Sequence, residues 1–236
     1  MLMLYAFHQE NWQVVQCCIC AYKMINYTHE SNIIEKGDEM KYREQILRYL
    51  KENHGIVTAS WCKNNAIPSI YLHRMEQDGT LTKVGRGIYI DETGDYDEFY
   101  FFQMTHTKCI YSYLSALFLQ GKTDQIPQSF DVTVYKGYNP HRLPNSVTVH
   151  YVNREIYELG ITEVKTNFGN IVRAYNMERI LCDLIYNREK VSSELFAQTV
   201  KMYGKSTDKR MMVLFNYAKK MGITEDVQKL MEVYYE

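Results

Sequence analysis

"IPSIYLHRMEQDGTLTKVGRGIYI", residues 67–90, joins a proline-started helix pattern, an aspartate–glycine stop and a short alternating pair of strands. Pro68 suits a first helical turn, where its missing N–H would have no intrahelical partner and its φ is already helical. The spacing predicts a helix from near Pro68 to Asp78 and Gly79, with Leu72 and Met75 inward. Ser69, His73, Arg74 and Gln77 then fall on the more exposed positions. "TLTKVGRGIYI" alternates around "VGRG", the pattern of two strands joined by a glycine-bearing turn with Arg86 at its tip.

Upstream, residues 40–53 carry Ile46, Leu47, Tyr49 and Leu50 on one stripe with charges opposite, which predicts a surface helix. After "HGIV", Thr58 is placed to cap a short second helix, "ASWCKNNA", with Trp61 and Cys62 turned inward. Three helices, the last two tightly connected, followed by a hairpin with a basic tip, predict a winged helix-turn-helix. The third helix would then enter the major groove, with Arg74 and Gln77 bonding base edges in bidentate fashion and Ser69 and His73 as lesser readers. Lys83 and Arg86 on the wing would hold phosphate or probe the minor groove.

Two plainer readings compete with this one. A winged helix can dock protein instead of DNA, and Arg74 can pair with Asp78 at i,i+4 for about 0.3–0.5 kcal/mol. Local charge favours DNA. The whole chain has a formal charge of −1, but residues 40–90 hold eight Lys and Arg against four Asp and Glu, a balance of +4. That is the electrostatic footprint of a nucleic-acid contact. The excess stops at "DETGDYDEF", residues 91–99, which has five acids and no base and is expected to be an acidic linker.

From residue 100 to residue 236 the pattern changes. "THTKCIYSYLSALFLQG" has helical spacing through Ile110, Tyr113, Leu114, Leu117 and Phe118 and a stop at Gly121. "SFDVTVYKG" and "SVTVHYVN" alternate as strands, and "ITEVKTNFGNIVRAYN" is expected to be a hairpin turning at Gly169. "MERILCDLIYN" returns to helical spacing, and three more helices are expected over 194–203, 208–221 and 225–234, the last capped by Thr224. The fold class is therefore α+β: an N-terminal winged helix-turn-helix, then a larger α+β domain with a small mixed sheet and a helical C-terminal part.

Residues 1–39 fit neither grammar. "NWQVVQCCICAYKMI" has an amphipathic pattern and "NYTHESNIIEKGDEM" has none, while Lys36, Gly37 and Asp38 can be encoded by a purine run just before Met40. An extension ahead of an alternative start at Met40 is the expectation. No run of about 18 apolar residues is present, so no membrane span is expected. The first residues lack a basic stretch and a cleavage site, which points to the cytoplasm. In that reducing setting Cys62, Cys109 and Cys182 are expected as small buried hydrophobes. Cys17, Cys18 and Cys20 lack the spacing of a zinc knuckle, so neither a metal nor a cofactor is expected.

No phosphate-binding loop, dinucleotide fingerprint, zinc-protease motif or nucleophile elbow occurs, so the expectation is a non-enzyme. One alternative remains: Asp131 on one strand with Glu163 and Lys165 on another resemble the carboxylate pair and lysine of a metal-dependent nuclease, which a winged helix would target to DNA. An exposed strand face alternating Glu and Lys around Val164 explains the same residues with no chemistry.

The stretches "GTLTKVGRGIYI", "YSYLSALFLQGKTDQIP", "VTVYKGYNPHRL" and "YELGITEVKTNFGNIVRAYNMERILCDLI" resemble, in this order, the AbiE-type antitoxins of type IV toxin–antitoxin systems, bacterial phage-defence pairs. The resemblance runs from about Met40 to the C-terminus. It implies a winged helix that represses the system's own promoter at inverted repeats in double-stranded DNA. It also implies a C-terminal domain that neutralises a nucleotidyltransferase-like toxin without a stable complex. "YNMERILCDLI" looks like the family's signature segment, yet its apolar spacing makes it core, so Glu178 and Asp183 are not expected to be catalytic. Lys201, Lys205, Lys209, Arg210, Lys219 and Lys220 are the candidates for an electropositive antitoxin face, against the plainer reading of a solvated surface.

Overall fold

A computed structural model describes residues 40–235, with side chains described as far as Glu232. The expectations for residues 1–39, including the cysteine cluster and the extension ahead of Met40, lie outside the described residues. Helix and strand are mixed, 46% and 18% of the described residues, and the chain divides into two compact units after Asp95.

In the first unit, α1 (helical over 40–52) buries Ile46 and Leu50 completely. It is followed by β1 (Ile56–Thr58), α2 (Ala59–Asn64), α3 (Ile70–Gln77), β2 (Thr82–Gly85) and β3 (Ile88–Ile90). Thr58 caps α2 as its sequence suggests, its Oγ1 accepting a hydrogen bond from Trp61 N at 3.1 Å. Cys62 is fully buried, and Trp61 stacks on Tyr49 with ring centroids 3.9 Å apart. Val57, Ile67, Leu72, Met75, Leu81 and Tyr89 complete this core.

The turn between α2 and α3 sets the angle of the third helix, and its hydrogen bonds follow the Schellman pattern. Ile67 N donates to Cys62 O at 2.8 Å and Ala66 N to Lys63 O at 3.2 Å, with Ala66 left-handed at φ 56°. Ile67 and Cys62 pack in the same core, the apolar contact that accompanies this cap. A Cβ in the left-handed region costs about 1–2 kcal/mol. Glycine avoids that but loses about 0.4–1 kcal/mol through its freer unfolded chain. Ala66→Gly is therefore expected to stabilise the unit by about 0.5–1 kcal/mol, read as a rise in its urea midpoint.

The wing is a hairpin, β2 against β3, turning through Arg86 and Gly87, with a register shift between Lys83 and Gly85. A third strand flanks it: β1 pairs antiparallel with β3, Val57 opposite Tyr89, giving the order β1-β3-β2. Three helices and this small sheet make the expected winged helix-turn-helix. Gly55, at φ 71°, accepts a 3.0 Å bond from Asp91 N, and a side chain there would collide with Asp91 and the backbone of Gly94. The start of the acidic stretch is thus folded onto the first unit.

The rest of that stretch belongs to the second unit. Asp97 is 1% exposed, caps α4 (Glu98–Thr105) through Tyr100 N at 3.0 Å, and accepts bonds from Thr166 Oγ1 and Asn170 Nδ2 at 2.5 and 2.9 Å. α4 opens the unit. β4 (Ile110–Tyr111), α5 (Tyr113–Leu119), β5 (Phe130–Tyr135), β6 (Val147–Val152) and α6 (Arg154–Tyr157) follow. The chain ends with β7 (Ile161–Lys165), β8 (Ile171–Tyr175), α7 (Met177–Tyr186), α8 (Ser193–Lys205), α9 (Met211–Met221) and α10 (Thr224–Tyr235). Ile110 and Tyr111, expected on a helix, are a strand, and Thr224, expected as a cap, lies inside α10.

The sheet is mixed, in the order β6-β5-β4-β8-β7, with β5/β6 and β4/β8 parallel and the other pairs antiparallel. β7 and β8 form the expected hairpin, with Gly169 at φ 83° in its turn. α7 is buried all round from Glu178 to Leu184. Ile180 and Leu184 pack in the sheet core, while Leu181 and Cys182 pack with Val200, Leu214, Ala218 and Val227 of the last three helices. This helix joins the two halves of the unit.

Candidate nucleic-acid interface

α3 turns Leu72 and Met75 into the core, each 1% exposed, and leaves Ser69, His73, Arg74 and Gln77 exposed. Three of these are organised before any ligand arrives. His73 Nδ1 lies 3.4 Å from Glu76 Oε2, and Gln77 Nε2 lies 3.2 Å from His73 Nε2. A ring proton assigned to Nδ1 satisfies both contacts. The Arg74 guanidinium lies over the Tyr71 ring, 5.5 Å from its centroid, and Tyr71 packs against Tyr42 of α1 at 5.0 Å. Such a stack holds the fork of Arg74 in fewer orientations than a lysine ammonium would keep.

Asp78, weighed above as the partner of Arg74, is engaged by other groups. Arg43 Nη1 of α1 donates to Asp78 Oδ2, Arg43 Nη2 donates to Thr80 Oγ1 at 2.6 Å, and Thr80 N and Oγ1 donate to Asp78 Oδ1. The end of α3 is thereby tied to α1. The Thr80 hydroxyl first, then Arg43, then the Thr80 amide, lower the Asp78 carboxyl to about 2. Because the folded pKa is depressed, the stabilisation is complete above the ordinary carboxylate value of roughly 4, and it is lost as pH falls through about 2. A carboxylate NMR titration of Arg43→Ala should show the Asp78 midpoint move up, with Thr80 retaining part of the depression.

On the wing, Arg86 is exposed at the turn, and Gly87 at φ 71° supplies the left-handed position that closes it. Gly87 O accepts from Ala59 N at 2.8 Å, so the start of α2 fixes the wing. Lys83 Nζ sits 6.0 Å from the Tyr89 ring centroid. The site thus comprises one exposed helix face and a basic hairpin, both held by named contacts. Four residues beside the site escaped the sequence reading. Arg43 fixes the helix end, Lys63 and Asn64 are exposed on α2 beside the turn, and Ile70 is 48% exposed at the start of α3. Placing the positions of α3 at 3.6 residues per turn would have brought out Ile70.

The second unit distributes the six basic candidates unevenly. Lys201 and Lys205 are exposed one turn apart on α8. Lys209 Nζ donates to Gly204 O at 2.6 Å. Arg210 holds Glu178, its Nε 3.2 Å from Oε1 and its Nη2 2.5 Å from Oε2. Lys219 and Lys220 are exposed at the far end of α9, roughly 14 Å along the helix axis from Arg210.

The nuclease alternative fails on geometry. In the sheet order β5 and β7 are three strand spacings apart, roughly 14 Å, so Asp131 and Glu163 cannot share a metal ion. Asp131 Oδ1 is instead 2.9 Å from His150 Nε2. Among the described residues no group of three or more His, Cys, Asp or Glu could hold a metal, and no helix is long and apolar enough to cross a membrane.

The fold and this face define a class, the winged helix-turn-helix of a DNA-binding regulator. Residues 44–90, from α1 to the end of β3, match the family described as AbiEi antitoxin transcriptional regulators, and over this unit the chain is AbiEi-like. No curated protein matches the chain.

Proposed function

We propose that the chain is the antitoxin of a type IV toxin–antitoxin pair used in phage defence by abortive infection, and that it represses its own promoter through the winged helix. The observation that carries this reading is the family match to residues 44–90, which coincides with the unit presenting the α3 face and the wing. The match supports an antitoxin and transcriptional regulator. Inverted repeats as the operator follow from the family resemblance. The second unit, separate in its core, would neutralise a nucleotidyltransferase-like toxin without a stable complex. Among the described residues Asp131 and Glu163, the candidate metal-holding carboxylates, lie three strands apart, which supports a non-enzymatic role, and a promoter target goes with a cytoplasmic location.

Two measurements test the proposal. Growth during toxin induction should be rescued by the full chain, and failure of rescue would sink the antitoxin reading. A promoter titration should separate helix from wing. Arg74→Ala is expected to weaken specific binding by roughly 1–3 kcal/mol and relax base preference, whereas Arg86→Ala weakens binding to all sequences and lowers the salt slope by about one. Equal, sequence-blind effects from both would overturn the groove assignment.

A further inference from the structure

We propose that Ile70 reads the C5-methyl group of thymine in the major groove. The inference rests on α3 being the recognition helix. With about 100° per residue, His73, Gln77, Ile70 and Arg74 follow Ser69 around the helix at roughly 40°, 80°, 100° and 140°. Leu72 and Met75, at roughly 300° and 240°, form the opposite, buried side. Ile70 is therefore inside the exposed polar arc, between Gln77 and Arg74, at the first residue of the helix.

The fold does not explain an isoleucine at this point. Its side chain is 48% exposed and takes no part in the core of the unit. A β-branched residue there also gains nothing from helix propensity. Each of its neighbours on the arc offers donors or acceptors to a base edge. Ile70 offers only methyl and methylene surface. In the major groove one natural base presents an apolar group, the thymine C5-methyl, and the opening turn of a recognition helix is the part that meets base edges. The chemistry of the arc is thus complementary to a site in which a thymine lies beside the bases that Gln77 and Arg74 contact. Burying one methyl contributes ~0.8 kcal/mol, about a fourfold factor in affinity.

The test uses the full-length chain and a duplex covering its own promoter, amplified once with dTTP and once with dUTP, which removes the C5-methyl groups and leaves the base-pairing edges unchanged. The wild type should bind the thymine duplex about fourfold more tightly for each methyl read. Ile70→Ala should bind the thymine duplex more weakly and show equal affinity for both, while Ile70→Val should keep the preference. Circular dichroism confirms that the half-exposed position leaves the fold intact. Specific promoter binding with no difference between the duplexes would overturn the role of Ile70 alone. A methyl preference that survives Ile70→Ala would assign it to another residue and equally overturn the proposal. Failure of the wild type to bind the promoter would instead overturn the DNA-binding reading on which it rests.

Discussion

Arg179→Ala is expected to destabilise the second unit by about 3–5 kcal/mol, the scale of removing one partner from a buried ion pair. Arg179 is fully buried in the first turn of α7. Its Nε donates to Asp183 Oδ1 at 3.0 Å, and its Nη1 donates to Ile156 O and Leu159 O at 2.5 and 2.8 Å. The guanidinium also lies 4.2 Å from the Tyr175 ring centroid. Burial pushes the Asp183 carboxyl up, and the guanidinium opposes it. Without Arg179, Asp183 would be left 2% exposed without the guanidinium, and the carbonyls of Ile156 and Leu159 would lose the side-chain donor that joins them to α7. Lysine should not substitute, because a point charge cannot reach a carboxylate and two carbonyls together. Arg179 Nη2 and Asp183 Oδ2 have no hydrogen-bond partner, so the pair is incompletely compensated. Arg179→Met with Asp183→Leu should therefore recover much of the loss. Urea unfolding followed by circular dichroism checks this, and an Arg179→Ala midpoint equal to wild type would refute the role assigned to the pair.

Arg210→Glu is expected to have the next largest effect, at the lower end of the same ~3–5 kcal/mol range because Arg210 itself is 55% exposed. Glu178 is 2% exposed on the first turn of α7, and Arg210 covers it with a bidentate contact that fixes the start of α9. A carboxylate in that place would set like charges together over a buried acid. Lys201→Glu and Lys205→Glu, on the open side of α8, should move stability by about 0.5 kcal/mol or less each. The two sets separate fold from function in a toxin-rescue assay. A failure of rescue with Arg210→Glu has to be read beside its melting curve, whereas failure with the two α8 variants at unchanged stability would mark a contact surface. A melting temperature for Arg210→Glu equal to wild type would refute the pinning role of this residue.

The legible parts of the fold were those whose pattern repeats. α1 and α3 show their period over two or more turns, the wing declares itself through the glycines around Arg86, and α7 through Ile180, Leu181 and Leu184. The missed parts are too short or too uniform to carry a period. β1 has three residues and β4 two, fewer than an alternation needs. α4 is "EFYFFQMT", apolar on nearly every side, so it offers no polar face against which a buried face stands out. Its capping Asp97 is indistinguishable in sequence from the acids around it. On α3 the polar residues of the exposed face were visible by residue type, but Ile70 was not, because an apolar residue reads as core until its angle on the helix is known. Arg43 was hidden for another reason: its partners Asp78 and Thr80 are 35 and 37 residues away.

β4 gives the two units different schedules during synthesis. Its two residues sit in the middle of the five-stranded sheet, between β5, which comes later in the chain, and β8, which ends at Tyr175. The sheet cannot close around its centre until β8 has left the ribosome, 80 residues after the first unit ends at Asp95. At about 5–20 residues per second that delay is roughly 4–16 s. The winged helix, whose elements from α1 to β3 all precede residue 91, can be complete throughout that interval. A nascent chain should therefore be able to find the promoter it is proposed to repress while the sheet of the half proposed to counter the toxin still lacks β7 and β8, and translation speed between codons 95 and 175 becomes a setting that shifts one activity in time against the other.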